Sequence, residues 1–335
     1  MINSINFTGV IKPEFKNVGQ THLKAAPYDN FTKSETQKCD NAFIKWAYDT
    51  DFMPHGLAAA LTEENKLGSG FTNSVYKIPS NPNYVLRVRN HNSIDDINFD
   101  NYTLVNCEDK NLKSNFGQCV AKIMPADSQY PIFEILKKQK GITNSNPPSS
   151  VVYHENGSIR EGELPYEALE RKEHYGKCLN ILANMPQESY DKLIDELIEL
   201  DRAGYRFDYY NPNNFLLDNE DGKINIIDID KTASGFKNDL GNILWALSGI
   251  GYFDTFMSDY DGVKTDDAAR EEAIKNTITV IDKYTQALKN KGAKYSKDGY
   301  EFTTKLLSSL PFSFYLRSVN NDQKMQKLQE MGVLD

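Results

Sequence analysis

The sequence is poor in the residues that build metal clusters and disulfide frameworks. Its 335 residues include four cysteines and five histidines. Cys39, Cys107, Cys119 and Cys178 are scattered with no CxxC pair, and no HExxH occurs. A structural zinc site needs clustered thiolate or imidazole ligands, and a disulfide scaffold needs a high density of cysteine. Neither is expected, and four reduced structural thiols are. No run of about 18 consecutive apolar residues exists, so no segment is expected to span a bilayer. Runs of Lys/Arg are also missing: 38 basic against 47 acidic side chains leave a formal charge of −9. Phosphate backbones and anionic lipid then have no electrostatic pull on the chain, and nucleic acid is not an expected partner. The opening MINSINFTGV has neither a charged n-region nor a long apolar h-region. The expected location is cytoplasmic, with nonclassical export as an effector left open.

What is present is an ordinary folding composition, 39% apolar and 25% charged. Residues 1–38 are polar with isolated hydrophobes and are expected to form an extended arm. Asn41 to Leu61 carries enough apolar side chains for one or two short helices, interrupted at Pro54. From Lys66 to Asn90 the pattern becomes short β-type segments, LGSGFTNSVYKI and YVLRVR, separated by SNPN. A helix is expected from about Ser93, where Asp96 has capping-box spacing. Two further strand-like runs follow, GQCVAKIM and YPIFEIL. Pro147-Pro148 and the Asn156-Gly157 turn, between VVYH and IREG, suggest a hairpin insertion within 141–165. In SYDKLIDELIELDRAG, Tyr190, Leu193, Ile194, Leu197 and Leu200 recur at helical spacing, and Gly204 is a natural stop. NFLLD and KINIID are short strands joined by NEDG. The remainder is expected to be mostly helix: 240–247, a long amphipathic helix carrying Ile274, Ile278, Ile281, Tyr284 and Leu288, and segments near Phe302 and Gln323.

Four stretches carry chemistry. Gly68, Ser69 and Gly70, followed by Val75 and Tyr76, place two glycines at i and i+2 in a strand turn. Backbone N–H groups can approach phosphate oxygens there with no Cβ in the way, although such a pair alone is commonly just a turn. On the next strand Arg87 shares a face with Val85, where a cation can meet phosphates under the glycine turn; alone, it reads as an edge-strand arginine in solvent. After the helix ending at Gly204 comes the loop FDYYNPNNFLLD. A carboxylate at Asp208 can orient a hydroxyl or accept its proton. An amide oxygen five or six residues on, at Asn213 or Asn214, can ligate Mg²⁺. Ten residues past Asp218, IIDID sets Asp228 at the end of an apolar strand, where a carboxylate is costly unless paired or metal-bound.

In this order the motifs resemble the protein-kinase-like superfamily, which holds eukaryotic-type protein kinases, bacterial effector kinases and the aminoglycoside/choline kinase group. LGSG…VY resembles the glycine-rich loop and VLRV the strand-three motif. FDYYNPNNFLLD resembles the HRDxxxxN loop with its following strand, and IIDID stands at the DFG position. Asn238-Asp239-Leu240-Gly241 with Trp245 resembles the start of the helix that supports the catalytic loop. The match runs from about Lys66 to Leu247, more than half the chain.

The resemblance implies an α+β, two-lobed kinase-like fold. Residues 1–40 would be a flexible arm, 41–138 a small β-rich nucleotide-binding lobe with a helical extension, and 139–335 a mostly helical lobe bearing the catalytic and metal loops. It implies ATP and Mg²⁺ as cofactors, Asp208 as base or hydroxyl-orienting group, and Asp228 with Asn213 or Asn214 as metal ligands. Gly68, Ser69, Gly70, Val75 and Arg87 would bind nucleotide. A hinge at Glu134–Lys137, including Leu136, would meet adenine through its backbone, and Asp239 would accept loop N–H groups. The departures are specific. Arg87 replaces the expected lysine, and arginine's planar fork is not an interchangeable cation; Lys77 is an alternative. Its carboxylate partner is ambiguous among Asp96, Asp100 and Glu108. No histidine precedes Asp208, and only eleven positions separate Asp228 from Asp239, too few for a long phosphorylation-controlled loop. The function implied is ATP-dependent phosphoryl transfer to a hydroxyl, with a slight preference for protein Ser/Thr. A small-molecule kinase of the aminoglycoside or choline type and a pseudokinase binding module are the alternatives.

Overall fold

The structure is a computed structural model that describes residues 40–53, 55–69, 73–89, 102–125, 133–144, 165–209, 211–231, 238–248 and 267–292. The arm, Gly70, the helix expected from Ser93, the 145–164 part of the insertion and the segments near Phe302 and Gln323 lie outside these residues. The fold is mixed α+β. The chain divides into two compact units, Met1–Lys110 with Gln118–Lys138, and Asn111–Gly117 with Gln139–Asp335. Among the described residues no helix is long and apolar enough to cross a membrane.

The first unit is a six-stranded antiparallel sheet with helices on one face. In chain order its strands are β1 (Lys66–Ser69), β2 (Asn73–Lys77), β3 (Tyr84–Arg89), β4 (Tyr102–Asn106), β5 (Cys119–Pro125) and β6 (Phe133–Lys137). Their spatial order is β1-β2-β3-β6-β5-β4. Strand alternation divides the side chains between two faces. Leu86, Val88, Ala121, Ile123, Phe133 and Ile135 form one buried cluster with Phe43, Ile44 and Ala47 of α1 (Ala42–Asp49) and Leu57 and Ala60 of α2 (His55–Ala60). Asn41 caps α1 by accepting the Ile44 N–H at 3.0 Å, and its amide donates to the Val120 carbonyl of β5 at 2.8 Å. One side chain therefore both starts the helix and fixes it to the sheet.

The second unit packs α3 (Pro165–Asn184), α4 (Gln187–Ala203), α5 (Leu240–Leu247) and α6 (Asp267–Asn290) around short strands. β9 (Phe215–Asp218) pairs with β10 (Lys223–Ile226) and with the two-residue β7 (Ile142–Thr143). Separately, β8 (Tyr205–Phe207) pairs with β11 (Ile229–Lys231). The α4 residues expected on its apolar stripe, Tyr190, Leu193, Ile194, Leu197 and Leu200, are all fully buried. Gly204 ends the helix at φ +74°, a left-handed conformation that glycine adopts without a Cβ penalty. Gly141 is required for a different reason: a Cβ there would stand 2.7 Å from the Leu217 backbone. Segment 111–117 belongs to this unit, with Leu112 and Phe116 in its core. The Glu199 carboxylate on α4 accepts from the backbone N–H groups of Lys113 and Ser114 and, at 2.6 Å, from the Ser114 hydroxyl.

Glu196 is the costly member of α4. It is buried, and its nearest cation, Lys192, stands 3.8 Å away. Desolvation pushes its carboxyl up to about 7, with Lys192 opposing and Glu199 adding to the rise. The folded state therefore favours the protonated acid. The contribution is complete below the ordinary value of 4.5 and disappears as pH rises through about 7. Glu196→Gln is expected to match the parent protein at pH 4 and to be more stable by on the order of 2–3 kcal/mol at pH 8.5. Urea midpoints at the two pH values measure this, and a pH-independent difference would contradict it.

Candidate functional site

The second unit brings together the two acids that the sequence separates by twenty positions. β8 and β11 align Phe207 with Ile229, so Asp208 and Asp228 are the next residues beyond the end of the ladder. The Asp208 N–H points to the Asp228 carbonyl at 3.5 Å. Asp228 has φ +58°. This left-handed conformation in a non-glycine residue persists only where the surroundings over-determine it.

The loop between them is locked by its asparagines. The Asn211 side chain accepts the Asn213 N–H at 3.1 Å and opens a 3₁₀ turn over Pro212–Asn214. Asn214 is buried, and its amide donates to the Asp208 carbonyl at 2.8 Å. The Asn214 carbonyl accepts the Ile227 N–H at 2.9 Å. One residue thus joins the turn to both acidic segments, and anchoring its amide nitrogen leaves Oδ1 as the acceptor end. The Asn213 Oδ1 is buried and meets no hydrogen-bond donor among the described residues. Buried polar atoms are normally satisfied, so this oxygen fits a cation or a bound water.

A metal can be tested against this donor set. The Asp228 carboxylate and the amide oxygens of Asn214 and Asn213 are oxygen donors of the kind Mg²⁺ takes, and Mg²⁺ normally keeps water or phosphate in its remaining positions. Among the described residues no group of three or more His, Cys, Asp or Glu is placed to hold a metal ion. The residues present fit Mg²⁺ and suit a soft-metal centre poorly.

Asn238 supports this loop from behind. Its Oδ1 accepts the Phe207 N–H at 2.8 Å, its amide donates to the Tyr205 carbonyl at 3.0 Å, and both its amide and its backbone N–H donate to the Asp201 carboxylate at 2.7 and 2.8 Å. Asn238, which accepts the Phe207 N–H, directly precedes Asp239, of which the acceptance of loop N–H groups was expected. Asp239 itself is exposed, and its carbonyl accepts the Ile243 N–H at 3.0 Å as α5 begins. Asp218, in the same region, is occupied in the β9–β10 turn, where it accepts the N–H groups of Glu220 and Asp221 at 3.1 Å.

In the first unit four of the expected nucleotide residues, Gly68, Val75, Arg87 and Glu134, fall in one cross-strand row, whereas Ser69 aligns with Ser74 and Leu136 with Val85. Gly68 aligns with Val75, Val75 with Arg87, and Arg87 with Glu134. The row continues from Glu134 to Lys122 and then to Val105. Arg87 donates from Nε and Nη2 to Glu134 Oε2, both at 2.7 Å, and Lys122 Nζ lies 3.4 Å from Oε1. Burial pushes the Glu134 carboxyl up, but Arg87 and then Lys122 hold it below the ordinary value.

The carboxylate beside Arg87 is therefore Glu134, on the adjacent strand. Glu108 pairs instead with Lys137 at 2.9 Å, and Asp96 and Asp100 lie outside the described residues. Glu134 and Leu136, expected in a hinge, sit within β6. Ser69 exchanges a hydroxyl contact with Ser74 at 2.8 Å, and Lys77 is exposed at the end of β2. Cys107, Cys119 and Cys178 are free thiols, and a hydrogen bond from Cys119, with Lys122 nearby, lowers Cys107 to about 7.

Sequence reasoning missed Asn238, Asp201, Lys122 and the side-chain role of Glu134. The signal for the last two was available: Glu134 and Lys122 are charged residues inside otherwise apolar strands, where a charge needs a partner. Compared with family models the chain matches none, and compared with curated proteins it also matches none.

Asn238→Ala removes the acceptor of the Phe207 N–H and the amide that donates to the Tyr205 carbonyl and to the Asp201 carboxylate, leaving Asp201 only the backbone N–H of residue 238 from this neighbour. It is expected to lower stability by about 2–4 kcal/mol. Asn238→Asp, which keeps the acceptor but sets a second carboxylate against Asp201, is also expected to destabilise. Urea unfolding of both checks this, and an unchanged midpoint for the alanine variant would show that Asn238 does not hold the loop.

Proposed function

We propose that the protein is an ATP- and Mg²⁺-dependent phosphotransferase of protein-kinase-like fold, moving the γ-phosphoryl group to a hydroxyl, with a slight preference for a protein Ser/Thr over a small-molecule acceptor. The observation that carries this reading is the convergence of Asp208, Asn214 and Asp228 on one locked loop. Phosphoryl transfer asks the protein mainly to position groups and offset charge, and such a loop supplies both.

In the step itself the acceptor oxygen forms a bond to the γ-phosphorus while the bond to the ADP oxygen breaks. The hydroxyl proton passes to the Asp208 carboxylate, which before transfer orients the hydroxyl in line. Asp228, with Asn214 and Asn213, would hold Mg²⁺, which when bound offsets the charge of the β- and γ-phosphates. In the first unit, Arg87 carries the positive charge expected of the strand-three lysine, and Glu134 fixes its fork. A Cβ at Gly68 would meet nothing within 4 Å. Packing among the described residues thus leaves room at Gly68, and glycine there allows the close approach of a phosphate.

Label from γ-labelled ATP is expected on the chain itself or on a generic protein substrate. Label found only on an aminoglycoside or choline would move the acceptor to a small molecule. Asp228→Ala is expected to abolish Mg²⁺-dependent nucleotide binding and turnover. Asp208→Ala should retain binding while losing roughly 10²–10⁴ in turnover. Equal loss of binding in the two variants would overturn these roles, and no binding of Mg²⁺-ATP by the parent protein would overturn the phosphotransferase reading.

A further inference from the structure

Two thiols meet where β4 runs out along β5. The antiparallel register pairs Asn106 of β4 with Ala121 of β5, and the Cys107 N–H extends that ladder by donating to the Val120 carbonyl at 2.9 Å. Cys119 is therefore one position along β5 from the residue opposite Cys107. With strands about 4.8 Å apart and a rise of about 3.3 Å per residue, this offset sets the two Cα atoms roughly 6 Å apart, within the span a disulfide bridges.

A bulge decides which way the side chains point. Cys119 aligns with Leu136 of β6 and Ala121 with Ile135, so Val120 is an extra residue in β5. Val120 and Ala121 are both buried in the cluster covered by α1 and α2. Two consecutive side chains thus take that face, and Cys119 falls on the other. Without the extra residue Cys119 would share the face of Ala121. On β4, Leu104 packs against the same cluster, and the Asn106 Oδ1 accepts from the Asn41 amide at 2.9 Å. Alternation then puts Val105 and Cys107 on the opposite face, with Cys119.

The two thiols are chemically uneven. Cys119 donates a hydrogen bond to Cys107 and lowers it to about 7, against burial and with help from Lys122, while the same bond, with burial, raises Cys119. Both are partly exposed. A thiolate is the attacking form of cysteine, and a neighbouring thiol is what resolves its oxidised state.

We infer that Cys107 and Cys119 are a redox pair that a hydroperoxide converts to a disulfide joining the end of β4 to β5. The Cys107 thiolate attacks one oxygen of hydrogen peroxide, the O–O bond breaks, and hydroxide leaves as a sulfenic acid forms. The Cys119 sulfur then attacks the Cys107 sulfur, the S–O bond breaks, and the departing hydroxide takes the Cys119 proton as water. Two electrons pass from the two sulfurs to the peroxide, and a thiol reductant reverses the change. The pair flanks a chain excursion: the chain leaves the first unit after Lys110 and returns to it at Gln118, and Leu112 and Phe116 in between belong to the core of the second unit. Hydrogen bonds close the ends of this excursion in the dithiol, among them Asp109 N–H to Gln118 Oε1 at 3.2 Å, and the disulfide closes them covalently. None of this depends on the phosphotransferase reading.

The test treats the reduced full chain with hydrogen peroxide, blocks the remaining thiols by alkylation and maps the tryptic peptides. Cleavage after Arg89, Lys110, Lys113 and Lys122 puts Cys107 on peptide 90–110 and Cys119 on peptide 114–122. These two peptides are expected to be joined in the parent protein and to separate on treatment with dithiothreitol. Cys178→Ser should give the same joined pair. Cys119→Ser is expected to accumulate a sulfenic acid on Cys107, trapped by dimedone, and Cys107→Ser to react with peroxide roughly tenfold more slowly. Melting temperatures show whether the variants keep the fold, and the parent map decides the inference even where a variant does not. Both peptides found alkylated, at peroxide levels that convert free cysteine to cystine, would overturn the pair. So would Cys39 or Cys178 as the main partner of either thiol. Equal trapping on Cys119 in Cys107→Ser would overturn the order of attack.

Discussion

The candidate chemistry of the second unit depends on a two-stranded ladder only three residues long on each side. β8 and β11 bring Asp208 beside Asp228, but an isolated pair of this length is marginal in water. Its persistence comes from what surrounds it. Phe207 and Phe215 are fully buried and stack edge-on with ring centres 4.9 Å apart. Asn238 ties the β8 backbone to Asp201 at the end of α4. Asn214 closes the other side by linking Asp208 to Ile227. The left-handed backbone of Asp228, a strain of about 1–3 kcal/mol, is offset by this frame. Order of this kind, imposed on two like-charged residues, is more than a packing core requires.

The first unit solves a different problem with strand alternation. One face of its sheet is apolar and covered by α1 and α2, which leaves the other free to carry charge. Three ionised groups at the centre of that face would be expensive to desolvate singly. They are tolerated because the antiparallel register sets Arg87, Glu134 and Lys122 on neighbouring strands, where each charge has an opposite one within reach.

Legibility in the sequence followed the range of the interactions. α4 was readable from its apolar spacing and from Gly204, because both are local signals; so were short helices in the apolar stretch from Asn41 to Leu61 and α5 over 240–247. β4, β8 and β11 were not read as strands. β8 and β11 have three residues each and no periodicity to detect, and β4 is an edge strand found only through its pairing with β5. Asp228 stood out because an acid at the end of an apolar run has a cost that demands a reason, and Asp208 because it opens the loop that follows the helix ending at Gly204. That Glu134 needs a partner was legible from its place in an apolar strand, but that Arg87 is beside it was not, since this depends on the register between β3 and β6, which no local pattern encodes. The bonds of Asn238 to Phe207 and Asp201 were not legible either, since they join positions 31 and 37 residues apart.

That register has a consequence for control. In protein kinases the cation that holds the phosphates pairs with a glutamate on a helix, and positioning that helix is a means of switching activity. Here the carboxylate beside Arg87 comes from the next strand of the same sheet, held by the backbone ladder that aligns Arg87 with Glu134. Separating the pair would require breaking the sheet rather than shifting a helix on its surface. The stretch from Asp228 to Asp239 is likewise too short to carry a long phosphorylation-controlled loop. On the phosphotransferase reading, the pairing of Arg87 with Glu134 is set by the register of the sheet and not by the placement of a helix.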